Sequence, residues 1–214
     1  RILLKTCTNG SSELMTNLSS SVVNALYNMQ LMKFAGEDGV AAYGTIMYVN
    51  FIFVSIFLGY AIGSAPIVSY HYGANNQDEL KNLFLKSIRL IGTWAVSLFV
   101  IAQLIATPLA TLFVGYDHGL FELTRNGFRL YSFAFLINGF NIYGSAFFTA
   151  LNNGLLSALI SFLRTLVFQM AIVLLLPLIL GINGVWCSVA IAELLTLCVT
   201  GTFIIRKRST YHYF

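Results

Sequence analysis

Charge is scarce in this chain: Asp, Glu, Lys and Arg make up 9% of its 214 residues, against about 25% in an ordinary soluble domain. A water-facing surface cannot be built from so little. Histidine is nearly absent as well, and His71, His118 and His212 are too scattered for any paired-histidine metal spacing. There is also no nucleophile elbow and no phosphate-binding glycine loop. No catalytic group, no metal site and no organic cofactor is therefore expected, and the chain does not read as an enzyme. Cysteine is limited to Cys7, Cys187 and Cys198. The number is odd, the spacing suits no metal, and two of the three lie in apolar stretches, so they are expected to be buried, inert thiols.

What fills the chain instead is apolar side chain, at 57% of residues and a mean hydropathy of +0.78. It is gathered into six stretches: 12–32, 40–68, 90–113, 130–150, 155–180 and 185–205. Each is long enough to cross a bilayer, since about 20 apolar residues span roughly 30 Å of hydrocarbon as a helix. Continuous runs of this length satisfy their backbone as helices rather than as the alternating strands of a barrel. The expectation is an all-α, polytopic membrane protein with six transmembrane helices, residues 1–214 forming a single membrane domain.

The formal charge of +4 does not point to nucleic acid, because the basic residues are spread along loops and are not interleaved with base-stacking aromatics on one face. They encode orientation. Six crossings put Arg1, Lys5, Lys81, Lys86, Arg89, Arg206, Lys207 and Arg208 on one side, with Lys33, Arg125 and Arg129 on the other. The richer side, with both termini, is expected to be cytoplasmic. The chain opens on Arg rather than Met and shows no targeting segment, so it is expected to be incomplete at its start.

External turns are expected at 35–39, 116–119 and 181–184, and a cytoplasmic turn at 152–154. Gly59 and Gly63, four apart, allow another helix close approach. Between Asp78 and Arg89, Leu80, Leu83, Phe84 and Ile88 share one helical face, which predicts an amphipathic segment lying at the cytoplasmic interface before the third span.

Polar groups inside the spans carry the functional information, because lipid tolerates them only where they face protein or water. On the first helix Asn17, Ser20, Ser21, Asn24 and Asn28 recur at three- to four-residue steps. The fourth repeats this with Asn138, Asn141, Ser145 and Thr149. One such asparagine is ordinary interhelical bonding; two parallel stripes indicate a water-accessible cavity that takes substrate, with Asn17, Asn24, Asn28, Asn138, Asn141 and Ser145 lining it. Arg164 and Glu193 are each costly at mid-depth, by at least about 3 kcal/mol. Counted from the ends of their helices, their depths differ by only about 4 to 5 Å at 1.5 Å per residue, so they can pair. Either the pair is fixed and structural, or it opens as Glu193 takes a proton or cation. Glu13 either complements the positive end of the first helix or shares in cation coupling. Tyrosines such as Tyr27, Tyr43 and Tyr131 could hold organic cations by their ring faces, although most are expected to be interface anchors or packing.

In order along the chain, residues 33–44 (KFAGEDGVAAYG), 63–74 (GSAPIVSYHYGA), 150–154 (ALNNG), 162–165 (FLRT) and 176–186 (LPLILGINGVW) resemble the C-terminal half of bacterial multidrug and toxic compound extrusion (MATE) transporters. The resemblance implies a twelve-helix exporter of two six-helix lobes, of which this chain supplies helices seven to twelve. It implies exchange of sodium ions or protons for small organic, often cationic, solutes across the bacterial cytoplasmic membrane. The implied partners are the bilayer and an N-terminal six-helix lobe. The family's coupling Asp in the tenth helix has no counterpart here, because the matching span 130–150 contains no acid. Glu13 and Glu193 would be substitutes. A lipid-linked precursor flippase of the same superfamily is the alternative; it would need a strongly cationic cavity for pyrophosphate.

Overall fold

The computed structural model describes the backbone of residues 2–211 and 213 and the side chains of residues 17–211 and 213. Every regular element among them is helical. Five helical stretches are long and apolar enough to cross a membrane, and the first holds two crossings. Its helix, Ile2–Gly73, breaks at Gly36, where φ is 61° and ψ is −148°. That backbone region is open essentially to glycine alone. The two arms, α1 (residues 2–35) and α2 (37–73), fold back on each other. Tyr27 stacks on Tyr43 at 5.4 Å between ring centroids, and the Tyr43 hydroxyl donates to Asn24 Oδ1 at 3.0 Å, contacts impossible along a straight helix. Six spans result.

The helix α3 (Gln77–Val114) is started by Asn76, whose side chain accepts from the amide of Glu79 at 3.2 Å. The amphipathic residues 78–89 form its first turns, continuous with the span, with Leu80, Phe84, Ser87 and Ile91 buried along one face. At 38 residues α3 runs about 57 Å, far more than a bilayer needs, so the early turns project beyond the hydrocarbon.

One expectation is corrected at α4 (His118–Ala150), which begins within the expected external turn and twelve residues before the apolar span. Asp117 accepts from the amide of Leu120 at 3.0 Å and sets the start. Burial of Leu120, Thr124, Phe128 and Tyr131 then carries the helix into the membrane, tightened by a 3₁₀ turn at Ser132–Ala134. Here α4 meets α6 (Ile182–Tyr211) so closely that a Cβ on Gly127 would come within 2.8 Å of the Trp186 ring. Deeper down α4 is the central element: Phe135 packs on Phe53 of α2 and Phe147 on Phe84 of α3.

The helix α5 (Gly154–Leu180) is capped by Asn153, which accepts from the amide of Leu156. In its middle, Leu163–Gln169 winds as a π-helix. The turn into α6 uses Gly181 at φ 57°. At the far end of α6, Tyr211 accepts from Asn153 Nδ2 at 2.7 Å, and Tyr213 is buried against Phe84 and Phe147.

Large apolar side chains such as Phe51, Leu104 and Leu112 are exposed around the bundle, as a lipid-facing surface requires. The cysteine expectation fails in part. Cys187 is half-buried, but Cys198 lies exposed on the outer surface of α6, where an apolar thiol suits lipid as well as it suits a core.

Candidate functional site

The structure brings α4, α5 and α6 together around one carboxylate. Glu193 is 1% exposed and both of its oxygens are occupied. Arg164 Nε donates to Oε1 at 2.8 Å and to Oε2 at 3.1 Å, and its Nη2 lies 2.8 Å from Oε1. Asn141 Nδ2 donates to Oε2 at 2.7 Å and to the Glu193 carbonyl at 2.8 Å. Arg164 also donates to Asn138 Oδ1. A buried ion pair persists only where such additional bonds offset its desolvation, and these two asparagines supply them. Asn141 is fully buried, and its Oδ1 finds no partner among the described residues. The charge of Glu193 also reaches the phenols of Tyr27 on α1 and Tyr131 on α4.

The local backbone explains how Arg164 arrives. In a π-helix each turn takes up an extra residue, which shifts side chains off the face an α-helix would give them. Arg164 is the second residue of that segment. Its side chain is 15% exposed, so the charged partner retaining contact with the outside is the arginine.

One turn along α4, Ser145 lies among hydroxyls of α5. Its Oγ is 2.9 Å from Ser157 Oγ and 3.0 Å from Ser161 Oγ, and Thr149 donates to Ser157 Oγ at 2.6 Å.

The stripe on α1 faces the other way. Asn17, Asn24 and Asn28 are exposed, while Ser19, Val23, Tyr27 and Leu31 fill the buried face. Asn28 donates back to the Asn24 carbonyl at 3.0 Å. Among the described residues α4 turns its amides inward, whereas those of α1 are exposed, with Asn24 Oδ1 also accepting from Tyr43. Glu13 lies outside the described side chains. Among the described residues no three of His, Cys, Asp and Glu converge as a metal would require.

Residues 14–175 match the family model MatE, about three quarters of the chain. The chain belongs to the MatE family. A Bacillus subtilis protein named "Probable multidrug resistance protein YoeA" is 25% identical over 121 residues, covering 56% of this chain and 26% of that protein. A MATE crystal structure in complex with MaL6 superposes with a TM-score of 0.90 at 22% identity, covering 98% of this chain and 48% of that one. An MOP superfamily transporter from Pyrococcus furiosus gives 0.89 at 22% identity, covering 99% and 48%. The chain thus spans about half the length of these solved MATE-type proteins.

The α5 side of the site is legible in the sequence as well: Ser157, Ser161 and Thr165 recur every four residues, a hydroxyl stripe of the same kind as that on α4. The π-helix left no comparable trace, since none of its residues is a helix breaker.

Proposed function

We propose that this chain forms one lobe of a bacterial cytoplasmic-membrane exporter that exchanges sodium ions or protons for small organic, often cationic, solutes. The observation that carries the reading is the buried Arg164–Glu193 pair held by Asn138 and Asn141. Charge at that depth costs at least about 3 kcal/mol per group, and apolar residues would hold three helices together without it. Membership of the MatE family and the multidrug relatives named above support the same direction.

Two further features fit. The exposed amides of Asn17, Asn24 and Asn28 need water or protein at membrane depth, so α1 faces the cavity shared with a second six-helix lobe. Alternating access in such folds is the rocking of two repeats around a site between them, and solved relatives are twice as long as this chain. The end bearing Arg206, Lys207 and Arg208 is cytoplasmic by the positive-inside rule. The flippase alternative asks for a cationic cavity, whereas the arginine buried here is already neutralised by Glu193.

The reading is tested by reconstituting the full-length protein in vesicles and following a fluorescent organic cation under an imposed proton or sodium gradient. Gradient-driven counterflow of the dye is expected; movement indifferent to both gradients overturns it.

A further inference from the structure

The hydroxyls between α4 and α5 are ordered in depth. Because the two helices are antiparallel, Thr149, Ser145 and Asn141 rise by single turns along α4 while Ser157, Ser161 and Arg164 rise alongside on α5. Thr149 sits one residue from the end of α4 and is half-buried; Ser157 and Ser161 are buried. The links are Thr149 to Ser157 at 2.6 Å, Ser157 to Ser145 at 2.9 Å and Ser145 to Ser161 at 3.0 Å. One further turn up stand Asn141 and Arg164, both bonded to Glu193. Glu193 is the fully buried carboxylate among the described residues.

We propose that Thr149, Ser157, Ser145 and Ser161 form a proton relay from the 151–153 end of the lobe to Glu193, making the proton the ion that this lobe exchanges. Each hydroxyl both donates and accepts, so the chain passes a proton by turning its O–H bonds over. Interhelical glue would need only isolated bonds; three linked hydroxyl contacts leading from the end of the helix pair toward a buried carboxylate are what transport of a proton needs. Oxygens in direct hydrogen-bond contact leave no room for a sodium ion to travel between them. The proposed relay is completed by a bridging water between Ser161 and Glu193, for which the unpartnered Asn141 Oδ1 offers an acceptor.

The step balances simply. In the inward direction a hydronium delivers a proton to Thr149 Oγ1 as its own O–H proton passes to Ser157, the shift repeats through Ser145 and Ser161, and the bridging water passes the last proton to Glu193; release runs the same steps in reverse. Nothing is oxidised or reduced. The lobe gains one proton, Glu193 becomes neutral, and Arg164 keeps its charge beside Asn138. Arg164 from α5 and Asn141 from α4 are bonded to Glu193, Asn138 from α4 accepts from Arg164, and the further titratable groups within reach of the Glu193 charge are the phenols of Tyr131 on α4 and Tyr27 on α1.

The purpose of the relay rests on the export reading; its existence is tested without transport. The full-length protein in detergent is subjected to a rapid pH drop, and the Glu193 carboxyl is followed by infrared spectroscopy, its band assigned by its loss in Glu193→Gln. Thr149→Val keeps the shape and removes the hydroxyl; it should slow protonation by about 100-fold or more, as loss of a positioned proton carrier does, with an unchanged end point. Thr149→Ser should restore the rate, and Ser161→Ala should interrupt the same line if the valine variant misfolds. Wild-type protonation rates in Thr149→Val and Ser161→Ala, or no pH-dependent band from Glu193, overturn the relay. Dye transport that fails while the infrared kinetics behave as described overturns the export reading and leaves the relay standing.

Discussion

Both carboxylate oxygens of Glu193 accept from donors of known identity, and that sets what each substitution should do. Asn141 supplies one bond to the carboxylate and one to the Glu193 backbone carbonyl, and is fully buried. Asn141→Ala should therefore lower stability by about 1.5 to 3 kcal/mol, the range for a hydrogen bond to a charged group, in thermal unfolding in detergent. Asn17→Ala, on the exposed stripe, should stay within about 0.5 kcal/mol of the parent. Sequence alone carried the Arg164–Glu193 pairing, because depth along two antiparallel helices is simple arithmetic. It did not carry the direction of the asparagines: spacing says that Asn17, Asn24 and Asn28 share a face with one another, not whether that face turns toward α4. Beyond the spans, Tyr213 makes a pH prediction. Burial, reinforced by neighbouring Tyr211, raises its phenol well above the usual value. Folding thus favours the neutral form, so docking of the tail is at full strength below the ordinary tyrosine range near about 10 and weakens only as pH climbs through the raised value. Ultraviolet difference titration of the parent against Tyr213→Phe should show that the phenol lost in the variant is a late-ionising one.

The boundaries of these helices follow from caps and glycines more than from hydropathy. The six apolar stretches located the six spans, yet α4 starts twelve residues early because Asp117 caps it and its first turns bury only one face, a pattern weaker than an apolar run. The joint between α1 and α2 was legible as a glycine-flanked acidic turn, and Gly36 is the residue that makes it. Gly36→Ala forces a side chain into backbone space it scarcely occupies, at about 1–3 kcal/mol, and should lower the melting temperature accordingly. Gly59→Ala, which meets open space at normal φ, should change it little within this lobe. The contrast separates a glycine needed for its backbone from one needed only when another helix approaches. No sequence signal announced the π-helix of α5, because hydrogen-bond register is decided by the partners a helix finds, here Glu193 and Asn138 for Arg164.

At the scale of the molecule, the fold is a six-helix lobe that matches half of a MATE transporter and exposes a stripe of amides on one helix. The proposed orientation puts Arg206, Lys207 and Arg208 on the cytoplasmic side, at the end opposite Glu37 and Asp38. In a cysteine-free background of the full-length protein, Glu37→Cys should react with a membrane-impermeant thiol reagent on intact cells while Arg208→Cys reacts only after the membrane is opened; the reverse pattern would invert the assigned topology. Whether the charge cluster works or merely holds the lobe together is decided by removing both charges at once. A buried pair replaced by apolar residues of similar size often leaves stability unchanged or raised, so Arg164→Met with Glu193→Leu should give a folded protein. The measurement is gradient-driven efflux of an organic cation by that double variant in vesicles, alongside its melting temperature. Efflux abolished at parental stability is the expected result; efflux at the parental rate would reduce Arg164 and Glu193 to a structural pair.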